Sequence, residues 1–399
     1  MKRLLALFDK PARTAIGLMS GTSVDGVSVV LACLTGSGIG TSIQQLAFAT
    51  YPFTDDVRRL ILENSAPGQG TVDQICRLNF LLGDLYVDAI EALLKEAGMA
   101  ARDIDFVGSH GQTLHHLPSP YAVAGKSVRS TLQIGEPSVI ANRLGILTVG
   151  DFRVADVAVG GEGAPLVPYF DFIILRSEKV SRGLLNLGGI GNITVLPKGC
   201  RQDQVFAFDT GPANMVIDQL MQRSYQRKFD EGGEVAGRGN VRPEILERLV
   251  QHPYLHRRPP KSTGREMFGA AFVDELIGLA GTMSLTPEDL LATVTEFSAY
   301  CIGESYRRFI ESETALDELL VSGGGVKNRT LMTAIQRQLP NITVQPCSHA
   351  GIDPHAKEAL CFAVLANEML AGHAANLPRV TGARRPVLLG KICLPPNDL

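Results

Sequence analysis

The chain has 399 residues, of which 41 are glycine and 22 are proline, and it contains no tryptophan. Hydrophobic residues make up 45% and charged residues 20%, which is typical of a folded globular protein and excludes a disordered chain. The glycines have no three-residue period, which excludes collagen, and they come in short clusters instead. A chain of this length usually forms two domains.

The charge and hydropathy patterns argue against two classes of partner. The net charge of −3 gives no general attraction to nucleic acid or to anionic membranes. No apolar run approaches the roughly 18 residues that a membrane helix needs. The apolar stretch Leu4 to Phe8 is too short for a signal peptide, so we predict a cytoplasmic protein. The seven cysteines are scattered without C-x-x-C spacing, which favours reduced thiols over disulfides or a zinc site.

Strands, glycine turns and helices alternate along the chain. Strands are predicted at Thr14–Met19, Val27–Leu34 and Ile104–Ser109, and helical periodicity covers Phe80–Gly98. In the second half the predicted elements are the strands Leu184–Leu187, Ile193–Leu196, Val205–Phe208 and Leu319–Ser322 and the helix Asn214–Arg223. This alternation predicts an α/β fold.

A weak internal repeat indicates how the chain divides. A strand–glycine–strand hairpin near Gly17 recurs near Gly188, which predicts two related domains with a cleft between them. We place the boundary near Arg153 to Gly161. The prediction is a domain I of residues 1–155 and 375–399, to which the last helix returns, and a domain II of residues 156–374.

The first chemical motif is the turn Gly17–Gly26, with the sequence GLMSGTSVDG. Its glycines and hydroxyl residues can present several backbone N–H groups to one anion, as phosphate-binding turns do. Asp25 could hold Mg²⁺ through water. The alternative is an ordinary polar hairpin. The turn is neither a Walker A loop nor a dinucleotide fingerprint.

Two further motifs follow predicted strands. Phe208–Asn214, with the sequence FDTGPAN, places Asp209 at a strand end, which suits a general base or a metal-bound carboxylate. The alternative is a helix-capping aspartate. Leu319–Asn328 contains three consecutive glycines, against which a flat ring such as adenine could lie. The alternative is a tight strand-to-helix turn.

Taken together, these motifs carry a family resemblance over about Ile16 to Gly382. The chain resembles anhydro-N-acetylmuramic acid kinases, within the superfamily of actin, sugar kinases and heat-shock-chaperone ATPases, in the segments GLMSGTSVDG, SHGQTLHH, QIGEP, DFRVADVAVGGEGAPLVP, NLGGIGNIT, FDTGPANMVID, KSTGREMF and VSGGG. The resemblance implies a two-domain, actin-like (ribonuclease H-like) α/β fold with an interdomain cleft. It also leads us to expect a homodimer.

The resemblance further implies an activity. Family members use ATP and Mg²⁺ to phosphorylate 1,6-anhydro-N-acetylmuramic acid, and they open its anhydro ring with water in cell-wall recycling. Because O6 of this sugar is tied to C1, water must attack C1 while O6 takes the γ-phosphoryl group. Asp209 would be the base that activates the water, a role typically worth roughly 10²- to 10⁴-fold in rate.

Binding residues are implied in the same way. Arg153 is our candidate partner for the lactyl carboxylate of the sugar. The residues implied to bind ATP are Gly21, Thr22, Ser23, Val24, Asp25, Gly26, Val27, Ser28, Gly188, Gly189, Asn192, Gly211, Gly323, Gly324, Gly325 and Asn328. The residues implied to bind the sugar are His110, Gln112, Thr113, Gln133, Arg153, Asp156, Glu162 and Glu358.

The chain departs from its relatives at two places, and one segment stays open. Ser28 stands where relatives commonly carry Asp, which puts the nucleotide affinity of the first turn in doubt. Tyr121–Ser130 is interpreted as an insertion in a surface loop. Lys261–Arg265 either closes over a substrate or lies at a domain edge.

Two other functions can be weighed against the kinase. A nucleotide-gated, actin- or chaperone-like binding ATPase would share the phosphate turns but need no sugar. A dehydrogenase would require a dinucleotide fingerprint, which the sequence lacks.

Overall fold

The apolar runs on either side of the first glycine turn form a hairpin, and a sheet is built around it. The computed structural model describes Leu4, Leu7 and residues 10–21, 23–347 and 355–396. Its strands are β1 (Ala12–Ser20), β2 (Gly26–Thr35), β3 (Ser42–Pro52), β4 (Phe106–Val123), β5 (Lys126–Ile134), β6 (Leu147–Gly150), β7 (Arg182–Leu187), β8 (Ile190–Leu196), β9 (Phe206–Pro212), β10 (Glu318–Ser322), β11 (Thr343–Pro346) and β12 (Lys391–Cys393).

Helices connect these strands, and several begin at a side-chain cap. Thr54, Thr71 and Thr286, for example, each accept a hydrogen bond from a backbone N–H three residues on. The helices are α1 (Asp55–Ser65), α2 (Val72–Glu96), α3 (Pro137–Leu144), α4 (Val154–Ala158), α5 (Val167–Leu175), α6 (Asn214–Tyr225), α7 (Pro243–Leu249), α8 (Arg265–Phe268), α9 (Ala270–Thr282), α10 (Pro287–Ser305), α11 (Arg329–Gln338), α12 (Lys357–Ala371) and α13 (Pro378–Thr381).

The chain divides into two units, and the second sheet repeats the order of five strands of the first. Unit 1 comprises Met1–Ile174 and His355–Leu399, and unit 2 comprises Leu175–Pro354. The first sheet has the order β12-β6-β4-β1-β2-β3, with β5 paired to β4, and the second has the order β11-β10-β7-β8-β9. In each, an antiparallel three-strand meander is followed by two parallel strands on the other side of the first strand. The predicted α/β class is confirmed, and the two units repeat one strand order, as the internal hairpin repeat predicted.

Helices cover both faces of the unit 1 sheet. Ile16 and Leu18 of β1 pack with Leu82 and Ile90 of α2 in one hydrophobic core. Gly17 lies between them and faces the opposite side, where α12 packs. Strands buried on both faces read as continuous apolar runs, which is why β1 and β2 were recognisable in the sequence.

The observed unit boundaries differ from the predicted ones. The first lies at 174/175 instead of 155/156, and the second at 354/355 instead of 374/375. The reason for the second difference is packing: a Cβ at Gly17 or Gly108 would lie about 2 Å from a carbonyl oxygen of α12. Helix α12 is therefore part of unit 1, although its position in the sequence gave no sign of this contact.

Several elements are longer than predicted, and three of them differ most. Helix α2 begins eight residues earlier than Phe80, because Thr71 caps it. Strand β4 runs on through Val123 and forms a two-stranded ribbon with β5, closed by Ala124 and Gly125, both at positive φ. The interpretation of Tyr121–Ser130 as a surface loop was therefore wrong. Strand β9 continues through Asp209 to Pro212.

None of the helices in the described part of the chain is long and apolar enough to cross a membrane.

The contact at Gly17 leads to a stability prediction. Gly17→Ala should lower the free energy of unfolding by about 3 kcal/mol, because a Cβ would lie 1.9 Å from the Ala359 carbonyl oxygen and α12 would have to move. Denaturant unfolding measures the change. Gly40→Ala, in the same unit, is the control: nothing lies within 4 Å of its Cβ position, and its effect should stay within about 0.5 kcal/mol. Equal effects of the two substitutions would contradict the packing argument.

Candidate active site

The first glycine turn is held to the neighbouring strand β4. Gln112, which is buried, donates from Nε2 to the Gly21 carbonyl oxygen at 3.2 Å, and its Oε1 accepts a hydrogen bond from the Ser20 hydroxyl. Val24 N–H donates to the Gly21 carbonyl oxygen, and Val24 has a φ of 56°. Gln112 therefore fixes the shape of the turn, and its amide is committed to that contact and to Thr113.

The predicted ATP residues of this turn differ in what they can offer a ligand. The side chains of Val24 and Val27 are buried in the core of unit 1, so only their backbone could contact a nucleotide. Ser23 and Asp25 are exposed. Thr22 lies outside the described residues.

Asp25 is the candidate for holding Mg²⁺. Its carboxylate is 69% exposed and lies 3.6 Å from Arg58, a solvated ion pair that leaves the oxygens accessible. Ser28, in β2, bonds instead to the hydroxyl of Thr50 on β3 at 3.0 Å. Within the described ranges, no cluster of three or more His, Cys, Asp or Glu side chains could bind a metal directly. An exposed carboxylate such as that of Asp25 can hold a hydrated cation through water.

The buried His110 and the partly buried Arg153 form a hydrogen-bonded pair in unit 1. Arg153 donates from Nε and Nη2 to His110 Nε2 at 3.1 and 2.9 Å, and from Nη1 to the Gly163 carbonyl oxygen at 2.8 Å. Because arginine can only donate, His110 Nε2 accepts, and Nδ1–H donates to the Gly111 carbonyl oxygen at 2.7 Å. Burial, reinforced by Arg153, lowers the pKa of His110 to about 3. His110 is therefore neutral at physiological pH.

Glu358 belongs to the same cluster. It is exposed in the first turn of α12, one turn before Phe362, whose ring centroid lies 4.6 Å from that of His110. Burial lowers the pKa of Arg153, and the Glu358 carboxylate acts in the opposite direction. The Glu358 carboxylate therefore interacts favourably with the Arg153 guanidinium.

A cavity of about 200 Å³ in unit 1 adjoins this cluster. His110 and Gln133 line it, and the buried Ser109 hydroxyl and Gln133 Oε1 have no hydrogen-bond partner among the described residues. Gln133 Nε2 donates to Thr113 Oγ1 at 3.2 Å, which brings two of the predicted sugar residues together. Unpaired buried polar atoms are costly unless a ligand or water bonds them. Ser109 was missed from the sequence, since a buried serine carries no pattern of its own.

Asp156 does not fit the role of a sugar ligand. It is fully buried, and its carboxylate accepts hydrogen bonds from Gly163 N at 2.8 Å and from Asn376 Nδ2 and Thr381 Oγ1 at 2.7 Å each. We reassign it as a structural residue that holds the Gly163 carbonyl oxygen toward Arg153. Glu162 is exposed and stays a candidate.

In unit 2, the second glycine turn lies against the three-glycine loop. Asn214 Nδ2 donates to the carbonyl oxygens of Leu187 and Gly188 at 2.9 and 2.8 Å. Cβ atoms at Gly323 and Gly325 would collide with the segment 186–187, whereas nothing lies within 4 Å of the Cβ position of Gly324. Gly324 therefore presents open, bare backbone, the surface that a flat ring needs.

Asn328, which is predicted to bind ATP, also has a structural role. Its side chain caps α11 by accepting a hydrogen bond from Leu331 N at 2.9 Å. Gly233 packs so tightly against Asn328 Oδ1 that a Cβ there would lie at 2.1 Å. Gly211, at φ 148° in β9, leaves room for Cys301. These contacts set the shape of the loops that the sequence singled out.

Asp209 lies inside β9, opposite Asn192 of β8. Its Oδ1 accepts from Asn192 Nδ2 at 2.8 Å, and its Oδ2 accepts from Thr263 N at 3.0 Å. Helix α6 begins five residues later with no side-chain cap at Ala213, which rules out the helix-capping alternative. Burial raises the pKa of Asp209, while Asn192, Thr263 and Lys261 oppose the shift.

The segment around Lys261 contacts Asp209. The sequence had left the location of this segment undecided. Tyr254 Oη donates to the Asp209 carbonyl oxygen at 2.7 Å, and Asp209 N donates to the Lys261 carbonyl oxygen at 3.0 Å. The KSTGREMF motif signalled that the segment mattered, but not which residue it touches. Tyr254 gave no signal at all.

Comparisons with known proteins agree on one family. The family model for anhydro-N-acetylmuramic acid kinase matches residues 13–395. Two proteins named anhydro-N-acetylmuramic acid kinase are close relatives: that of Caldanaerobacter subterraneus subsp. tengcongensis is 48% identical over 99% of this chain and 100% of its own. That of Salinibacter ruber is 47% identical over the same shares.

A solved structure with a weaker likeness is the activator of the 2-hydroxyisocaproyl-CoA dehydratase from Clostridium difficile with bound ADPNP. It is 14% identical, covers 90% of this chain and 96% of its own, and has a TM-score of 0.42. A likeness at that level supports no conclusion about ligands.

The buried neutral His110 makes stability depend on pH. The unfolded chain binds a proton at His110 below its ordinary pKa of 6.5, whereas the folded chain does so only near pH 3. This group should therefore stabilise the fold fully above pH 6.5 and progressively less as the pH falls toward 3, by up to about 1.4 kcal/mol per pH unit. His110→Gln should flatten this slope in denaturant unfolding measured across the range. The exposed His256→Gln is the control and should keep the wild-type slope; an unchanged slope in His110→Gln would refute the assignment.

Proposed function

The chain belongs to the anhydro-N-acetylmuramic acid kinase family and is therefore an ATP-dependent sugar kinase; on that premise we propose that Asp209 is its general base. The observation that carries this proposal is the pair of directed hydrogen bonds from Asn192 and Thr263 to a partly buried carboxylate. Each carboxylate oxygen accepts one of them and keeps a further lone pair for a substrate water. Burial makes the carboxylate more basic than a solvated one, which suits proton abstraction.

The chemistry follows from the structure of the anhydro sugar. Asp209 takes a proton from water as the water oxygen bonds to C1, and the C1–O6 bond breaks. The released O6 bonds to the γ-phosphorus of ATP, and the bond to ADP breaks. The products are N-acetylmuramic acid 6-phosphate and ADP, which places the enzyme in peptidoglycan recycling and amino-sugar catabolism.

ATP would be bound by glycine turns in each unit. In unit 1, the turn from Gly21 to Ser28 would contact phosphates through its backbone and through the Ser23 hydroxyl. In unit 2, Gly188, Gly189, Asn192 and Gly211 would contact phosphates, and Gly323, Gly324, Gly325 and Asn328 would contact adenosine. Support comes from the open backbone face of Gly324. Mg²⁺, held through water by Asp25, would neutralise phosphate charge when bound.

The sugar would be bound in unit 1. Arg153 is proposed to bind the lactyl carboxylate through N–H groups that His110 and Gly163 leave free, since a guanidinium carries five donors. Thr113, Gln133, Glu162 and Glu358 are proposed to contact hydroxyl or amide groups. His110 orients Arg153, and Gln112 orients the phosphate turn; we propose indirect roles for both.

We also propose that the enzyme is cytoplasmic and forms a homodimer. The β4–β5 ribbon supports the second proposal, because it exposes an apolar set that is typical of interaction surfaces: Leu117, Tyr121, Val123, Val128 and Leu132.

The route of the oxygen atom tests the reaction. In ¹⁸O-water, mass spectrometry should find one label on the sugar, at C1, and none on the phosphoryl group, with one ADP formed per sugar. Label in inorganic phosphate, together with ATP hydrolysis that ignores the sugar, would instead support a nucleotide-gated binding ATPase.

The base assignment is tested by Asp209→Asn. This variant should lose about 10²- to 10⁴-fold or more in kcat while it still binds ATP and sugar in calorimetry, because asparagine cannot accept the proton. Glu247→Gln, an exposed substitution of the same kind in unit 2, should keep wild-type kcat. A kcat of Asp209→Asn within tenfold of wild type would exclude Asp209 as the base.

A further inference from the structure

Lys261 is a buried cation held by aromatic rings. Its Nζ lies 4.6 Å from the ring centroid of Tyr254, 4.8 Å from that of Phe309 and 5.7 Å from that of Phe208. Its hydrogen bond to the Tyr254 carbonyl oxygen is long, at 3.4 Å. Only 9% of the residue is exposed, and no described carboxylate forms a salt bridge with it. The ammonium group has therefore left water for cation–π contacts and one weak acceptor.

Filling this space does not require a charge. A ring of aromatic side chains would take an uncharged methionine of similar length at no cost of ion desolvation. Stability alone therefore does not explain a lysine at this position. The segment that carries this charge packs against Asp209, the candidate base, and that carboxylate is the functional group that a nearby positive charge would serve.

The segment that carries Lys261 contacts Asp209 at three separate atoms. The Lys261 carbonyl oxygen accepts from Asp209 N at 3.0 Å, and Tyr254 Oη donates to the Asp209 carbonyl oxygen at 2.7 Å. Thr263 N donates to Asp209 Oδ2 at 3.0 Å. Tyr254 is at once a wall of the lysine cage and a donor to Asp209, so the cage and the carboxylate are mechanically linked.

We propose that Lys261 is a positioning residue for Asp209. Its caged ammonium fastens the segment 254–263 to β9, and its charge keeps the buried carboxylate in the ionised form that accepts a proton. This inference rests on the proposed role of Asp209 as the base.

Among the groups that act on Lys261, Asp209 is the negative charge that favours its ammonium form. Burial lowers the pKa of Lys261 to about 8, and Asp209 acts in the opposite direction. The Cys301 thiol of α10 has its pKa raised by burial, so it is neutral at physiological pH. Two cations, Arg257 and Arg308, also act on the pair and disfavour the charged form of Lys261. The Glu266 carboxylate of α8 disfavours the ionised form of Asp209. Burial raises the pKa of the Tyr254 hydroxyl.

The test is the pH profile of kcat/KM in Lys261→Met. Losing the cation removes an influence that lowers the pKa of Asp209, so the acid limb should move to higher pH. At neutral pH, kcat should fall by a larger factor than the KM values change, because the substitution alters the Asp209 carboxylate and leaves the substrate contacts in place. The melting temperature should equal or exceed that of wild type.

Three further variants make the result decisive. Lys261→Gln is neutral but polar and should shift the limb in the same direction, which gives a reading if the methionine variant fails to fold. Lys261→Arg keeps the charge and should return the limb toward wild type. Lys198→Met removes an exposed lysine of unit 2 and should leave the profile unchanged.

The outcomes separate this inference from the base assignment. Folded Lys261→Met or Lys261→Gln with the wild-type acid limb and kcat, beside an inactive Asp209→Asn, would overturn the positioning role alone. An active Asp209→Asn would overturn the base assignment, and the positioning role with it.

Discussion

The organisation of unit 1 depends on the direct approach of the α12 backbone to strands β1 and β4. Gly17 and Gly108 make this approach possible, because each faces a helix carbonyl oxygen at a distance where no side chain fits. The contact places Phe362 against His110 and places Glu358, at the start of the same helix, near Arg153. The candidate sugar cluster is therefore a consequence of helix–sheet packing at two glycines.

In unit 2, the contacts around Asp209 stabilise the charged form of a partly buried carboxylate. Desolvation favours the protonated form of Asp209, and directed hydrogen bonds from Asn192 and Thr263 offset part of that cost. Lys261 adds a cation that is itself desolvated and therefore interacts strongly with its neighbours. An uncharged arrangement would be simpler to stabilise, so a buried carboxylate at this position is consistent with the proposed role of Asp209 as a base.

Both units use glycine for proximity more than for flexibility. In unit 2, Gly323 and Gly325 pack against the hairpin turn at Leu187, which leaves Gly324 with an open face. In unit 1, the turn after β1 keeps its shape because Gln112 holds Ser20 and Gly21. At these places glycine lets one backbone approach another closely, and a neighbouring side-chain amide, Gln112 in unit 1 and Asn214 in unit 2, fixes the turn.

Much of this could be predicted from local sequence patterns. Apolar runs ending in glycine located β1, β2, β7, β8 and β10, and the repeated hairpin predicted two related units. Family motifs named Asp209, Arg153 and the glycine turns as candidates. Such patterns report what a residue does within its own element, because strand periodicity, turn chemistry and motif spacing are properties of neighbouring residues.

The contacts between segments far apart in the chain were decided by the tertiary structure. The assignment of α12 to unit 1, the burial of Asp156 against residues 376 and 381, and the contact of Tyr254 and Lys261 with Asp209 all link segments far apart in the chain. The sequence by itself determined the fold class, most of the elements and the family, and it named Asp209 as the candidate base; only the folded chain decided which side chains are desolvated and which are paired. The physical reason is that burial and hydrogen bonding depend on neighbours in space, which no local pattern records.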